Sequence, residues 1–139
     1  MLKNCSFNFT DESYHNVGVS WDPYQEELVD IGRFAQTKFE TNKGAFKTPT
    51  LRNVALTAPY MHDGRFQTLE EVIEHYNSGV KSHRNLNFRL TEQDRDGRLG
   101  GTPLKLELTQ GQKDALLAFL RTFTDDKVST AEKYSDPFI

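Results

Sequence analysis

The sequence predicts an all-α fold threaded with long irregular loops, and three observations carry that expectation. Two capping boxes, Thr68-Leu69-Glu70-Glu71 and Thr109-Gln110-Gly111-Gln112, each stand ahead of an apolar stripe at helical spacing. A third stripe, Leu28, Ile31, Phe34 and Ala35, recurs at the same period after Glu26 and Glu27, where the helix dipole favours anions. Only 36% of the 139 residues are hydrophobic, so a small core within much loop is expected, with ten Phe, five Tyr and one Trp supplying large buried areas. That length suits one domain over residues 1–139, the last stretch, 126–139, reading as a polar tail.

Taken in order, residues 1–24 lack periodicity and read as ordered loop, with turns at Asn16-Val17-Gly18 and Asp22-Pro23. A helix is expected from Gln25 to about Phe39, broken by Thr41-Asn42-Lys43-Gly44. Thr48 before Pro49 is held extended, a short helical turn follows over Leu51 to Leu56 and ends before Pro59, and His62-Asp63-Gly64 signals a turn. The first capping box starts a helix whose stripe is Leu69, Val72, Ile73 and Tyr76, with a stop at Asn77-Ser78-Gly79. Residues 80–107 are a polar excursion, either a functional loop or loosely held. The second box opens the most regular helix, with Leu116, Leu117, Phe119, Leu120 and Phe123 on one side, after which Phe138 could dock the tail.

Composition excludes several functions. Lys and Arg number 17 against 20 Asp and Glu, a net charge of −3, so nucleic acid is not expected as a partner. The longest apolar run, Ala115 to Leu120, is too short to span a membrane, and the start Met1-Leu2-Lys3-Asn4-Cys5 has no apolar leader segment. One cysteine, Cys5, cannot form an internal disulfide, a CxxC pair or a multi-cysteine zinc site. His15, His62, His75 and His83 stand at no zinc spacing and, each alone, read as structural or surface residues. Asp94 and Asp96 before Gly97 resemble a piece of a calcium loop whose other ligands are missing.

The segment Phe46 to Gly64, FKTPTLRNVALTAPYMHDG, packs two prolines, cations, a thioether and an imidazole into a short stretch suited to a pocket wall. Lys47 and Arg52 could neutralise carboxylates, and Met61 or His62 could meet a metal. Equally, Leu51, Val54, Leu56, Tyr60 and Met61 could simply pack while the polar residues tie down loops.

With TLEEVIEHYNSG after it, this segment resembles the C-terminal half of the bacterial di-haem cytochrome c peroxidase and MauG family. Four stretches carry the resemblance in order: Phe9 to Val19, Asp30 to Ala35, Phe46 to Gly79, and Leu108 to Asp125. It implies an all-α, cytochrome c-like domain that passes electrons through a haem c, while a separate N-terminal peroxidatic haem domain, absent from this chain, reduces hydrogen peroxide to water. The electrons would come from a small redox protein such as a cytochrome c or a cupredoxin. The location implied is periplasmic and a homodimer is possible; no residue of this chain is assigned a catalytic role.

The family attaches haem through CxxCH, and at that place this sequence reads Met1-Leu2-Lys3-Asn4-Cys5-Ser6. Either the sequence begins downstream of the motif, or the domain has lost haem and persists as a haem-free interaction or structural module. Carried over by position, the sixth iron ligand falls at Tyr76, with Met61 the competitor. Phe46, Pro49, Pro59 and His62 would border the haem, Lys47 with Arg52 would face its propionates, and backbone carbonyls of Thr57 and Pro59 would meet calcium, weakly in the isolated chain. A pocket left unfilled predicts a molten or collapsed apo state.

Overall fold

The computed structural model describes residues 8–19, 21–22, 27–28, 30–92 and 100–131. The expectations for Met1 to Ser6, for Asp94 to Gly97 and for Phe138 lie outside these residues.

The all-α expectation is corrected. Four two-residue strands form two antiparallel pairs: β1 (Tyr14–His15) with β4 (Phe46–Lys47), and β2 (Trp21–Asp22) with β3 (Glu27–Leu28). The helices are α1 (Phe34–Thr37), α2 (Leu69–Glu74), α3 (Gln110–Arg121) and α4 (Lys127–Thr130), and among the described residues only α3, with 12 residues, exceeds two turns. Within the helix expected from Gln25 to about Phe39, the described residues are α-helical only over α1. Asp30 Oδ1 accepts the Gly32 N–H at 2.8 Å, which turns the chain before the helix can run. Gly32 sits at φ +55, and a Cβ there would lie 2.6 Å from the Ala45 carbonyl, so only glycine makes this approach. Lys38 then adopts the left-handed conformation and ends α1 after one turn.

Where the sequence carries reciprocal caps, the structure has them. Thr68 Oγ accepts the Glu71 N–H at 3.2 Å while Glu71 Oε2 accepts the Thr68 N–H at 3.0 Å, starting α2. Thr109 and Gln112 do the same for α3. The turn expected over Leu51 to Leu56 is a 3₁₀ turn at Val54–Leu56. α2 widens at its end into a π-helical turn, His75–Gly79, and then stops. α2 lies against α3, with Lys113 to Glu74 at 3.1 Å and Arg121 to Glu70 at 3.3 Å across the seam.

The core contains as much polar as apolar matter. Val19, Ala45, Leu69, Ile73, Val80 and Leu86 are its buried hydrophobic residues, and they are joined by buried Asn16, Asn77, His83, Asn85, Asn87 and Thr91, among others. A buried polar group costs stability unless it is hydrogen-bonded, and no buried side-chain N or O lacks a partner among the described residues. The described part of the polar excursion around His83 to Asn87 is therefore not loosely held. Leu86, fully buried, plugs it into the core, Asn87 N–H donates to the Asn16 carbonyl at 3.0 Å, and His83 Nδ1 accepts both the Asn85 N–H at 3.0 Å and Asn16 Nδ2–H at 3.2 Å.

Candidate functional site

A cleft of about 1050 Å³ opens between three walls: the stretch from Phe46 to His62, one face of α2, and the N-terminal segment from Phe9 to Val17, with Leu120 of α3 and Arg89 closing its ends. The α2 face follows from helical spacing, since Leu69, Val72 and Tyr76 stand at i, i+3 and i+7. Of the residues singled out in the sequence, Phe46, Pro49, Arg52, Thr57, Pro59, Met61, His62 and Tyr76 all line this one space. Lys47 does not. In β4 successive side chains point to opposite sides, and with Phe46 facing the cleft Lys47 is exposed.

Tyr76 is half-buried, and its hydroxyl makes no hydrogen bond to any described residue. Burial accordingly pushes the phenol pKa up, because the phenolate would lose water without gaining a partner. Met61 reaches the cleft from a tight loop: Ala58–Pro59 is cis, Tyr60 N–H donates to the Phe66 carbonyl at 2.7 Å, and Met61 itself takes φ +69. His62 stacks on Phe46 with ring centres 3.6 Å apart and planes 12° from parallel. Burial lowers the pKa of His62, while the charges of Asp63 and of Asp30, 4.0 Å from Nε2, act in the other direction. Thr57 Oγ donates to the Val54 carbonyl at 3.1 Å, and no three His, Cys, Asp or Glu gather as a metal cluster among the described residues.

Sequence reasoning missed a polar corner of the same cleft. His15 Nε2 lies 2.6 Å from Asp11 Oδ2, and its Nδ1 meets Asn87 Nδ2. Because Asn87 Oδ1 already accepts the Arg89 N–H at 2.9 Å, the Asn87 amide presents its N–H₂ to His15. Nδ1 is therefore the unprotonated nitrogen and Nε2–H donates to Asp11. Both ring nitrogens are engaged, which leaves His15 no lone pair for a metal. Burial would raise the Asp11 pKa, but the His15 bond, the Ser13 N–H at 3.0 Å and the Thr48 hydroxyl outweigh it and hold the carboxyl at about 2. Arg89 Nη1 stands 3.5 Å from the same carboxylate. The only early pointer to this corner was that Phe9 to Val19 belongs to the resembling stretches; the pairing of His15 opposite Phe46, which brings it to the cleft, is a long-range fact.

The donor set thus comprises one phenol oxygen without a partner among the described residues, one thioether and one stacked imidazole in an apolar cleft, with the Arg52 and Arg89 side chains on its lining. A flat apolar group with a ligatable metal and carboxylate edges fits that set: phenolate and thioether are axial-ligand types for haem iron, and guanidinium pairs with carboxylate.

No protein-family model matches the chain. It is 32% identical over 117 residues to the methylamine utilization protein MauG of Methylorubrum extorquens, a match covering 84% of this chain and 28% of that protein. Among solved structures, a MauG-like protein associated with microbial copper homeostasis superposes with a TM-score of 0.67 at 37% identity, covering 91% of this chain and 39% of the other. A variant of the diheme peroxidase BthA of Burkholderia thailandensis superposes with a TM-score of 0.59 at 27% identity, covering 86% and 34%. The chain spans about a third of the length of these proteins. By sequence and by structure, this chain is a homologue of the MauG proteins and of the bacterial diheme cytochrome c peroxidases.

Proposed function

We propose that this chain is the part of a MauG- or cytochrome c peroxidase-type oxidoreductase that encloses an electron-transfer haem, in a periplasmic protein whose peroxidatic domain lies outside this chain. The observation that carries the reading is the Tyr76 hydroxyl, set on the wall of an apolar cleft without a hydrogen-bond partner among the described residues. Haem bound there supplies one-electron iron chemistry. Tyr76 offers the iron its oxygen, the apolar α2 face and the Phe46–His62 stack exclude water, and Arg52 with Arg89 takes the carboxylates. The phenol must lose its proton to bind iron, so its raised pKa makes binding tighten as pH rises. A phenolate oxygen is hard and favours ferric iron, giving a lower potential than a thioether. In this reading the electrons arrive from a small redox protein such as a cytochrome c or cupredoxin, and calcium at the Thr57 and Pro59 carbonyls binds only weakly without oxygen ligands from elsewhere.

Adding ferric haem to the purified chain tests this. A shifted Soret band with a phenolate-to-iron charge-transfer band is expected, Tyr76→Phe should remove that band and weaken binding by about 10-fold or more, and Met61→Leu should leave the band in place. No Soret shift in the unaltered chain, or a spectrum indifferent to Tyr76→Phe and lost in Met61→Leu, overturns the assignment.

A further inference from the structure

The two neighbours of Tyr76 in the chain are both buried and both polar, an arrangement a helix stripe does not require. His75 Nε2–H donates to the Val17 carbonyl at 2.9 Å on one side. On the other, Asn77 Oδ1 accepts the Leu108 N–H at 2.8 Å, the Asn77 carbonyl accepts the Leu106 N–H at 3.0 Å, and Asn77 Nδ2–H donates to Glu74 Oε1 at 3.1 Å. In a straight α-helix three consecutive side chains fan over about 200° and cannot all turn inward. The π-helical turn at His75–Gly79 widens the helix so that they do. Glu74 draws that turn together by also accepting the Ser78 hydroxyl at 2.6 Å, and Lys113 of α3 steadies its second oxygen at 3.1 Å.

We propose that Asn77, clamped between Glu74 and the Leu106–Leu108 backbone, is a positioning residue that together with His75 brackets Tyr76 and fixes its hydroxyl in the cleft. The assignment rests on the reading of Tyr76 as the residue that meets the bound group, but it concerns how that residue is held. The bracket works through the backbone: Val17 anchors residue 75 to the N-terminal wall, the 106–108 segment anchors residue 77 beside α3, and residue 76 lies between the two anchors. Tyr76 itself is guided by the His75 ring, whose centre lies 5.2 Å away with the planes 72° apart, edge to face. Ligand-holding residues one bond removed from the metal characteristically govern affinity by such orientation, and their loss costs about 10- to 100-fold.

The test uses the full chain labelled with 3-fluorotyrosine, the Tyr76 fluorine resonance being identified by its disappearance in Tyr76→Phe. Asn77→Asp keeps the acceptor for Leu108 N–H but loses the donor to Glu74 and sets two carboxylates together. It is expected to move the Tyr76 resonance toward the position of free tyrosine and to weaken binding of added ferric haem by about 10-fold. Adding Glu74→Gln to Asn77→Asp restores a donor–acceptor pair with its direction reversed, and both readouts should return toward those of the parent chain. A Tyr76 resonance and haem affinity that Asn77→Asp leaves unchanged overturn the proposal. So does an Asn77→Asp defect that Glu74→Gln fails to relieve. Failure of the haem assignment itself looks different, because Tyr76→Phe would then alter nothing in the haem spectrum while the fluorine arm still reads the bracket.

Discussion

Acid should destabilise this fold well before its carboxylates titrate, because two histidines are buried where the charged ring is disfavoured. His83 Nδ1 accepts two N–H donors, from Asn85 and Asn16, so a proton placed there would face both. Burial is the main cause of its lowered pKa, with the Arg84 and Lys43 charges adding to it. His75 is lowered chiefly by burial too, opposed by its bond to Val17 and reinforced by Arg65 and Lys81. Both are under 9% exposed. In the unfolded chain each takes a proton near pH 6.5, while in the folded chain each remains neutral to lower pH, so the unfolded state binds more protons in that window. The stability they contribute is whole above pH 6.5 and is lost as pH falls toward the depressed folded values. Each contributes a slope of up to about 1.4 kcal/mol per pH unit, or about 2.7 for the two together. Asp11, held at about 2, contributes in a separate window below its ordinary value near 3.8, so it does not confuse measurements above pH 4.5. Urea midpoints followed by far-ultraviolet circular dichroism from pH 8 to 4.5 should fall steeply below 6.5, and His75→Gln, which keeps a donor for Val17, should flatten the slope by about half. A midpoint unchanged between pH 7 and 5 would refute the argument.

Two backbone and packing predictions stand beside this one and those for Tyr76 and Asn77. Gly18 sits at φ +70, and a Cβ there would lie 2.7 Å from the Lys81 carbonyl oxygen and 2.9 Å from its nitrogen. Gly18→Ala should therefore cost roughly 2–3 kcal/mol, from left-handed strain plus the displaced Lys81 N–H to Gly18 carbonyl bond, and a loss below about 1 kcal/mol in urea unfolding would contradict the close approach. Leu86 is fully buried, so Leu86→Ala should cost about 2–5 kcal/mol in the same assay, and a near-neutral result would mean that the segment after residue 79 is not part of the core.

The parts of the fold legible in the sequence are those whose signal is local. Capping boxes need only four residues, and both were placed correctly along with the start of each helix. The cleft wall was legible because its prolines and mixed donors are contiguous, and the i, i+3, i+7 stripe put Tyr76 on the same side as Leu69 and Val72. What failed was whatever depended on distant partners. The periodicity around Leu28 to Ala35 gave no warning that Gly32 must press against Ala45, and polarity after residue 79 gave no warning that asparagines can be core when their side chains bond to distant backbone groups, as Asn85 does to the Glu40 carbonyl and Asn77 to the Leu108 N–H. His15, read from sequence as a structural or surface histidine, reaches the cleft because β1 pairs with β4.

The sequence also marked α3 as a helix with a core-facing side, yet none of its residues is buried, Phe119 is 56% exposed and Leu120 looks into the cleft. Of that stripe only Leu120 is on the cleft lining, and its side chain gains hydrophobic stabilisation there when something apolar fills the cleft, so folding and occupancy are linked. A group bound at 100 times its dissociation constant adds about 2.7 kcal/mol, a sizeable fraction of the 5–15 kcal/mol that holds an ordinary domain. Among the described residues the buried set holds asparagine, histidine and threonine beside its apolar members, and that increment falls on the cleft lining that carries Tyr76.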